Sequence, residues 1–538
     1  MSSSARRSLG LVILLTLLMV ASAIAAPATL ARQPTSTTVA GIDIDATTIP
    51  ELQDLMDDRR LTAVQLTQFY LHRIKKLNPL LNAVITVSPT ALADARAADA
   101  SRRQGDDRPL LGIPIILKDN INTTGMATTA GSWALAGSTP SDAFIVQQLK
   151  AAGAIVIGKA NLSEWANFRS IPSSSGWSGI GGQNNMAHVL DRNPCGSSSG
   201  AGVAAAADLA VAAVGTETDG SIVCPSGANG IVGVKPTVGL LSRAGIVPIS
   251  ADQDTAGPMA RNVTDAAVLL GAMTGIDPND QATAAQAGNA FTDYTQFLNG
   301  EALDGARIGF WQDGTYDPAI SPEVDAVMQA TIGALQAQGA IVVEVDVPID
   351  PAFGPEFDAL LCEFKTDLPA YFETYTAAGY PRTLQDVIDF NNANPDLEGP
   401  WNSAIFELAE ATGGRTDPAC VAARQTANSI ATAAVDDTLA AFDLDAIIAP
   451  TNGPAWVTDP VNGDLGGDFS TFVGSSTPAA VAGYVNITVP AGYADGALPI
   501  GVSFIGGQWD EPTLIALAYA FEQATDVRVP PAFLPTLD

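Results

Sequence analysis

Histidine and lysine are nearly absent from this chain. Its 538 residues hold two histidines, His72 and His188, and seven lysines. The histidines lie far apart, and no Cys/His spacing suggests zinc. A hydrolase built on this chain must therefore find its base elsewhere. Positive charge is also scarce: 26 Lys and Arg stand against 57 Asp and Glu, a formal net charge of −31. Nucleic acid is excluded as a partner, because phosphate backbones need clustered Lys and Arg. The acidity fits a solvated, soluble surface. Past residue 26 no apolar run reaches spanning length without polar interruption, so no stable membrane insertion is expected. No fixed-period repeat is present.

Cysteine is limited to Cys195, Cys224, Cys362 and Cys420. In an oxidising compartment these form one or two disulfides, with three connectivities if all pair. The other reading leaves them as small buried hydrophobes. Cys195 and Cys224 flank two serine-bearing motifs, so a bridge between them would staple that region.

Residues 1–26 read as a secretory signal. Arg6 and Arg7 open it, Leu9–Ala21 is apolar, and Ala21-Ser-Ala-Ile-Ala-Ala26 offers small residues for cleavage near Ala25 or Ala26. The Arg pair also admits twin-arginine export. The expected product is exported, periplasmic or extracellular. Residues 27–45 follow as a loose N-terminus, then one domain over 46–530 and a tail over 531–538. Within the domain, 351–418 is less regular and richer in aromatics, Asn and Pro. It reads either as a cap over a site or as a peripheral helical region.

Strand candidates are Ile113–Leu117, Ile155–Ile157, Ala210–Val214, Arg307–Phe310, Ile341–Val345, Ala446–Ile448, Ile487–Val489 and Ile500–Ile505. Helix candidates include Ala143–Ala152, Ala201–Leu209, Thr264–Met273, Pro322–Gln338 and Pro512–Gln523. Thr62-Ala-Val-Gln65 fits a capping box before a helical apolar pattern. The alternation predicts an α/β fold, a sheet covered by helices on both faces.

Three residues carry the candidate chemistry. Ser221 follows an apolar strand and the turn Gly215-Thr-Glu-Thr-Asp-Gly-Ser221. Gly215 and Gly220 permit backbone conformations that a Cβ obstructs. Successive amides in such a turn converge on an anion and would hold a developing oxyanion. The plainer reading is a structural glycine-rich turn. Ser197 lies in a second turn, Cys195-Gly-Ser-Ser-Ser-Gly-Ala201. There Gly196-Ser-Ser-Ser-Gly200 imitates a nucleophile elbow centred on Ser198, but both histidines precede it, which is the wrong order for an α/β-hydrolase. Lys118 ends the apolar run Gly112-Ile-Pro-Ile-Ile-Leu-Lys-Asp119. It serves as a base only if burial keeps it neutral, and the competing reading is a salt bridge with Asp119 or another carboxylate.

Together these segments closely resemble the amidase signature family. The matches are Gly112–Asp119, Thr128-Thr-Ala-Gly-Ser132, Ala152-Gly-Ala-Ile-Val-Ile-Gly-Lys159, Asn161-Leu-Ser-Glu164, Gly196–Gly200, Gly215–Ile222 and Gly233-Val-Lys-Pro-Thr237. Leu498-Pro-Ile-Gly501 and Ile505-Gly506 extend them. The resemblance implies an α/β/α sandwich around a large mixed, mostly parallel twisted sheet. It implies a Ser–cis-Ser–Lys triad with Ser221 as nucleophile, Ser197 as bridging serine and Lys118 as base. It makes the amides of Thr218, Asp219, Gly220 and Ser221 the oxyanion hole and Ser198 a supporting neighbour. Glu217, Asp219 and Val223 replace the family's commoner Asp, Gly and Arg, and Ser199 and Ala201 make the second cluster less glycine-rich. Asp219 would repel a negative substrate end or recognise a donor. With Asn161–Ser170 and Gln253-Asp-Thr-Ala-Gly-Pro258, these departures resemble the peptide amidase branch, which removes the amide from peptide C-termini.

The expected activity is amide hydrolysis through an acyl-enzyme, on C-terminal amides of peptides or related carboxamides, with no metal or organic cofactor. A broad-specificity aliphatic or aryl-acylamidase shares every triad motif. The family's amidotransferase branch, which amidates charged tRNA, would need further partner proteins and a cytoplasmic setting. An exported non-catalytic binding protein is the distant alternative.

Overall fold

The computed structural model of the protein describes residues 36–466 and 475–537. The expected signal segment lies outside the described residues. Eleven strands form one sheet. In chain order they are β1 (Val84–Val87), β2 (Pro114–Lys118), β3 (Ile155–Ala160), β4 (Ala212–Glu217), β5 (Val232–Lys235), β6 (Thr255–Ala260), β7 (Arg307–Trp311), β8 (Ile341–Val345), β9 (Ala446–Pro450), β10 (Asn486–Ala494) and β11 (Leu498–Ile505). Their spatial order is β8-β7-β9-β11-β10-β5-β6-β4-β2-β3-β1. β2, β3, β4, β9 and β11 are buried along their whole length, which follows from their continuous apolar runs.

The sheet is mixed and flanked by helices, as expected, but its pairing is mostly antiparallel rather than mostly parallel. Parallel pairs are β7/β8, β7/β9, β2/β3 and β2/β4. The antiparallel pairs are β9/β11, β10/β11, β5/β10, β5/β6, β4/β6 and β1/β3. An apolar run reports burial on both faces, not strand direction. β10 and β11 illustrate this: they join as a hairpin through Asp495 and Gly496, which take positive φ of 48° and 69°.

All eight strand candidates lie in this sheet. Three strands gave no sequence signal. β6 contains Gly257 and Pro258, which ordinarily mark a break. A Cβ on Gly257 would stand 1.9 Å from the Val234 carbonyl oxygen, so the close approach of β5 and β6 requires glycine. The helix candidates appear as Phe144–Ala151, Ser199–Ala206, Val263–Met273, Pro322–Ala337 and Glu511–Thr525. Thr62 caps the helix Ala63–Leu81, its hydroxyl accepting from Gln65 N at 3.0 Å. No helix among the described residues is long and apolar enough to cross a membrane.

Residues 351–418 are more regular than their composition suggests. They form helices Phe353–Tyr375, Leu384–Ala393, Pro395–Glu398 and Ala404–Glu410, and a long helix Pro418–Phe442 follows. Their aromatics build a second core, in which Phe364 and Phe406 stack with centroids 5.4 Å apart and Trp165 packs edge-on against Phe406. This core sets the helices against the loops that carry Ala130, Trp165, Phe168 and Ile249.

Candidate active site

Two neighbouring parallel strands bring the candidate residues together. β2 and β4 run side by side, with Leu117 opposite Val214. Lys118 ends β2, and the chain leaving β4 turns at once into the Ser221 segment. Lys118 is fully buried. Its Nζ donates to Ser197 Oγ at 2.7 Å, to Thr216 Oγ1 at 3.0 Å and to Thr216 O at 3.1 Å. Burial pulls its pKa down to about 7, while Asp254 and then Glu217 pull the other way. The salt bridge with Asp119 does not form. Asp119 pairs instead with the buried Lys159, 3.2 Å away, and accepts from Thr129.

Ser197 is fully buried and follows a cis Gly196–Ser197 peptide bond. Ser163 N donates to Ser197 O at 3.0 Å, so the Asn161–Glu164 motif braces this turn. A Cβ on Gly196 would come within 2.2 Å of Ser163 Oγ, so a larger residue there would have to displace that hydroxyl. Ser198 does not face the cavity as an elbow nucleophile would. Its hydroxyl donates to Thr216 O at 2.9 Å and accepts from Thr216 N at 3.2 Å. Its backbone N donates to Ser221 O at 3.1 Å, tying the two serine turns together.

The Ser221 turn is shaped by Glu217. One of its carboxylate oxygens accepts from Ile222 N at 2.7 Å and Val223 N at 3.0 Å. Gly220 takes φ +75°, which lets the chain reverse between Asp219 and Ser221. Among the described residues the backbone amides of Asp219, Gly220 and Ser221 donate to no protein acceptor. Thr218, Asp219, Gly220 and Ser221 all line one cavity of about 600 Å³. Lys118 and Ser197 lie behind its floor. The walls are largely apolar, with Phe168 and Ile249 from the loops and Phe353, Leu360 and Ile405 from the 351–418 helices.

A disulfide joins Cys195 and Cys224, two residues before Ser197 and three after Ser221, and both cysteines line the cavity. Cys362 pairs with Cys420, linking the helices Phe353–Tyr375 and Pro418–Phe442. No described cysteine is free, so the buried-hydrophobe reading falls.

Asp219 makes long-range contacts that its sequence position does not reveal. Its oxygens accept from Ser476 Oγ at 2.5 Å and Thr477 Oγ1 at 2.7 Å. Burial raises its pKa, against those two hydrogen bonds. His188 is no base: it faces Asn229 O at 3.2 Å, and burial, then Arg528, holds its pKa near 4.

Sequence reasoning missed several neighbours. Thr216 cradles Lys118. Asp254 accepts from Thr218 Oγ1 at 2.6 Å. Gln253 donates to Thr218 O at 2.9 Å and to Glu356 Oε1 at 2.7 Å, linking the turn to the 351–418 helices. The period-two alternation of Gly215–Asp219 carries part of that signal, since it sets Thr216 and Thr218 on one face and Glu217 on the other. The contacts to Glu356 cross 103 residues and have no local signature.

Comparison with known proteins shows what the chain is similar to. A family model described as Amidase matches residues 65–515. A probable amidase of Arabidopsis thaliana is 39% identical over 507 residues, covering 91% of this chain and 92% of its own. A putative amidase of Schizosaccharomyces pombe is 35% identical over 517 residues, covering 91% and 87%. Among solved structures, a peptide amidase bound to the competitive inhibitor chymostatin superposes with a TM-score of 0.86 at 48% identity, covering 90% of this chain and 99% of its own. The native peptide amidase of Stenotrophomonas maltophilia gives 0.84 at 47% identity, covering 90% and 98%.

Proposed function

This chain belongs to the amidase family, and from that premise we propose that it removes ammonia from C-terminal amides of peptides through a Ser221–Ser197–Lys118 relay. Amide hydrolysis is the family's chemistry, and likeness to the two solved peptide amidases supports the finer substrate class. The observation that carries the relay is the 2.7 Å contact between Lys118 Nζ and Ser197 Oγ behind a cavity floor that presents Ser221.

In this reading neutral Lys118 takes a proton from Ser197, and Ser197 takes one from Ser221. Ser221 Oγ then attacks the carboxamide carbon. The amides of residues 218–221 receive the charge that develops on the carbonyl oxygen, where preorganised donors contribute most. Ser197 returns a proton to the leaving nitrogen, ammonia departs, and an ester to Ser221 remains. Water attacks this ester by the same relay and releases the peptide acid. Ser198 fixes the distance between the two turns, and the Cys195–Cys224 bridge closes them covalently.

Export is part of the same proposal. The pairing of all four cysteines suits an oxidising compartment.

Three substrates test the reading: a C-terminally amidated peptide, the same peptide as its free acid, and a small anilide. Ammonia released from the first, with internal bonds intact in both peptides, is the expected result. Faster turnover of the anilide would move the assignment to an acylamidase.

A further inference from the structure

We infer that the cavity selects peptide amides whose terminal residues are neutral or cationic, and that it rejects acidic ones together with its own free-acid product. This rests on the amide-hydrolase reading and specifies the substrate class of that site.

Among the described residues the ionisable side chains on the cavity wall are both acids, Asp219 and Asp464. No Lys, Arg or His lines it among the described residues. Nearby cations are committed elsewhere: Lys235, whose charge acts on Asp219, donates to the carbonyls of Pro236 and Tyr484. Arg424 grips Glu363 at 2.6 and 2.8 Å and donates to Gln253 at 2.7 Å. Arg169 pairs with Glu164 and Glu398. Lys118 points back at Ser197 and Thr216. Glu356 adds a third acid behind the wall: burial, then Asp219, raises its pKa to about 8.

Asp464 is fixed in place. It accepts from Ser175 N at 2.9 Å, from Asn193 Nδ2 at 3.2 Å and from Trp456 Nε1 at 3.2 Å. Burial raises its pKa to about 6, so it is mostly ionised at pH 8. The hydrogen bonds to Asp464 satisfy its lone pairs without cancelling its charge. A substrate carboxylate entering here loses water, meets no free cation among the described residues and faces the fixed Asp464 carboxylate with Asp219 beside it, a juxtaposition that disfavours binding. A neutral carboxamide escapes this repulsion until hydrolysis converts it to a carboxylate beside Ser221. The same field then drives the product out.

The test compares peptide amides that differ only in the amide-bearing residue: Gln, Glu, Leu and Lys, at about pH 8. The Gln and Glu side chains match in size and differ in charge. The expected kcat/KM for Glu is at least about tenfold below that for Gln, with Lys no worse than Leu. The free acid of the Gln peptide should inhibit with a Ki at least about tenfold above the KM of its amide. Asp464→Asn should narrow the Gln-to-Glu ratio. Equal turnover of Gln and Glu, or a free acid that binds as well as the amide, overturns the inference. If the Gln amide itself is not hydrolysed while the anilide is, the peptide-amide reading has failed instead.

Discussion

Acidification should silence this enzyme through Lys118. The amine accepts a proton from Ser197 only when neutral, and its pKa lies at about 7. The neutral fraction is then about one tenth at pH 6 and about nine tenths at pH 8. With an uncharged peptide amide, kcat/KM should fall about tenfold per unit below pH 7 and level off above it. Asp254 is the foremost charge holding Lys118 up, ahead of Glu217. Asp254→Asn removes it, so the limb should move to lower pH. If Asp254 were itself the titrating group, the limb would vanish instead. Lys118→Arg keeps a cation at every pH and should lose about 10²–10⁴-fold throughout. The assay is ammonia release from about pH 5 to about pH 9 at constant ionic strength, for all three proteins. A flat wild-type profile, or a limb that shifts upward in Asp254→Asn, would refute the base role of Lys118.

Ser221→Ala should abolish ammonia release while leaving the thermal transition within a few degrees of wild type; residual full activity would move the nucleophile elsewhere. Replacing Cys195 and Cys224 by serine removes a cross-link over 29 residues, which chain entropy values at about 3–4 kcal/mol. That variant should melt earlier than wild type and lose more activity than a Cys362/Cys420 pair variant, and an unaffected kcat would sink the stapling argument. Glu217→Ala leaves the amides of Ile222 and Val223 without their acceptor, at about 1–3 kcal/mol, and should lower kcat; Glu217→Gln keeps an acceptor oxygen and should recover most of it. Lys118 has a folded pKa below its unfolded value of 10.5. The unfolded chain therefore binds the extra proton between about pH 7 and about pH 10.5, and stability should rise with pH across that window. In Lys118→Met this rise should shrink, as measured by urea midpoints at both ends.

The part of the site written in the sequence is the part built from neighbours in the chain. Ser197, Ser198 and the Gly215–Ser221 turn are short segments whose glycines mark the reversals. Lys118 closes an apolar run, which told of its burial and so of its lowered pKa. What burial could not tell was the partner: Lys159 satisfies Asp119 from the next strand, and that pairing depends on sheet register. Strand direction failed for a related reason, since β10 and β11 are as apolar as parallel strands but meet in a hairpin. Gln253, Glu356 and Arg424 escaped because their meeting is a matter of tertiary packing. Asp219 was noticed for its charge, while the hydroxyls that hold it come from residues 257 and 258 positions away.

The adjacency of β2 and β4 has a consequence for how this enzyme can change. Lys118 and the Ser221 turn of the proposed relay hang from two strands locked by ladder hydrogen bonds, whereas Phe353, Leu360 and Ile405 line the cavity from helices outside the sheet. Heredity can therefore rewrite that wall without disturbing the proposed relay. A laboratory seeking new substrates should vary the helical wall and leave the ends of the two strands untouched.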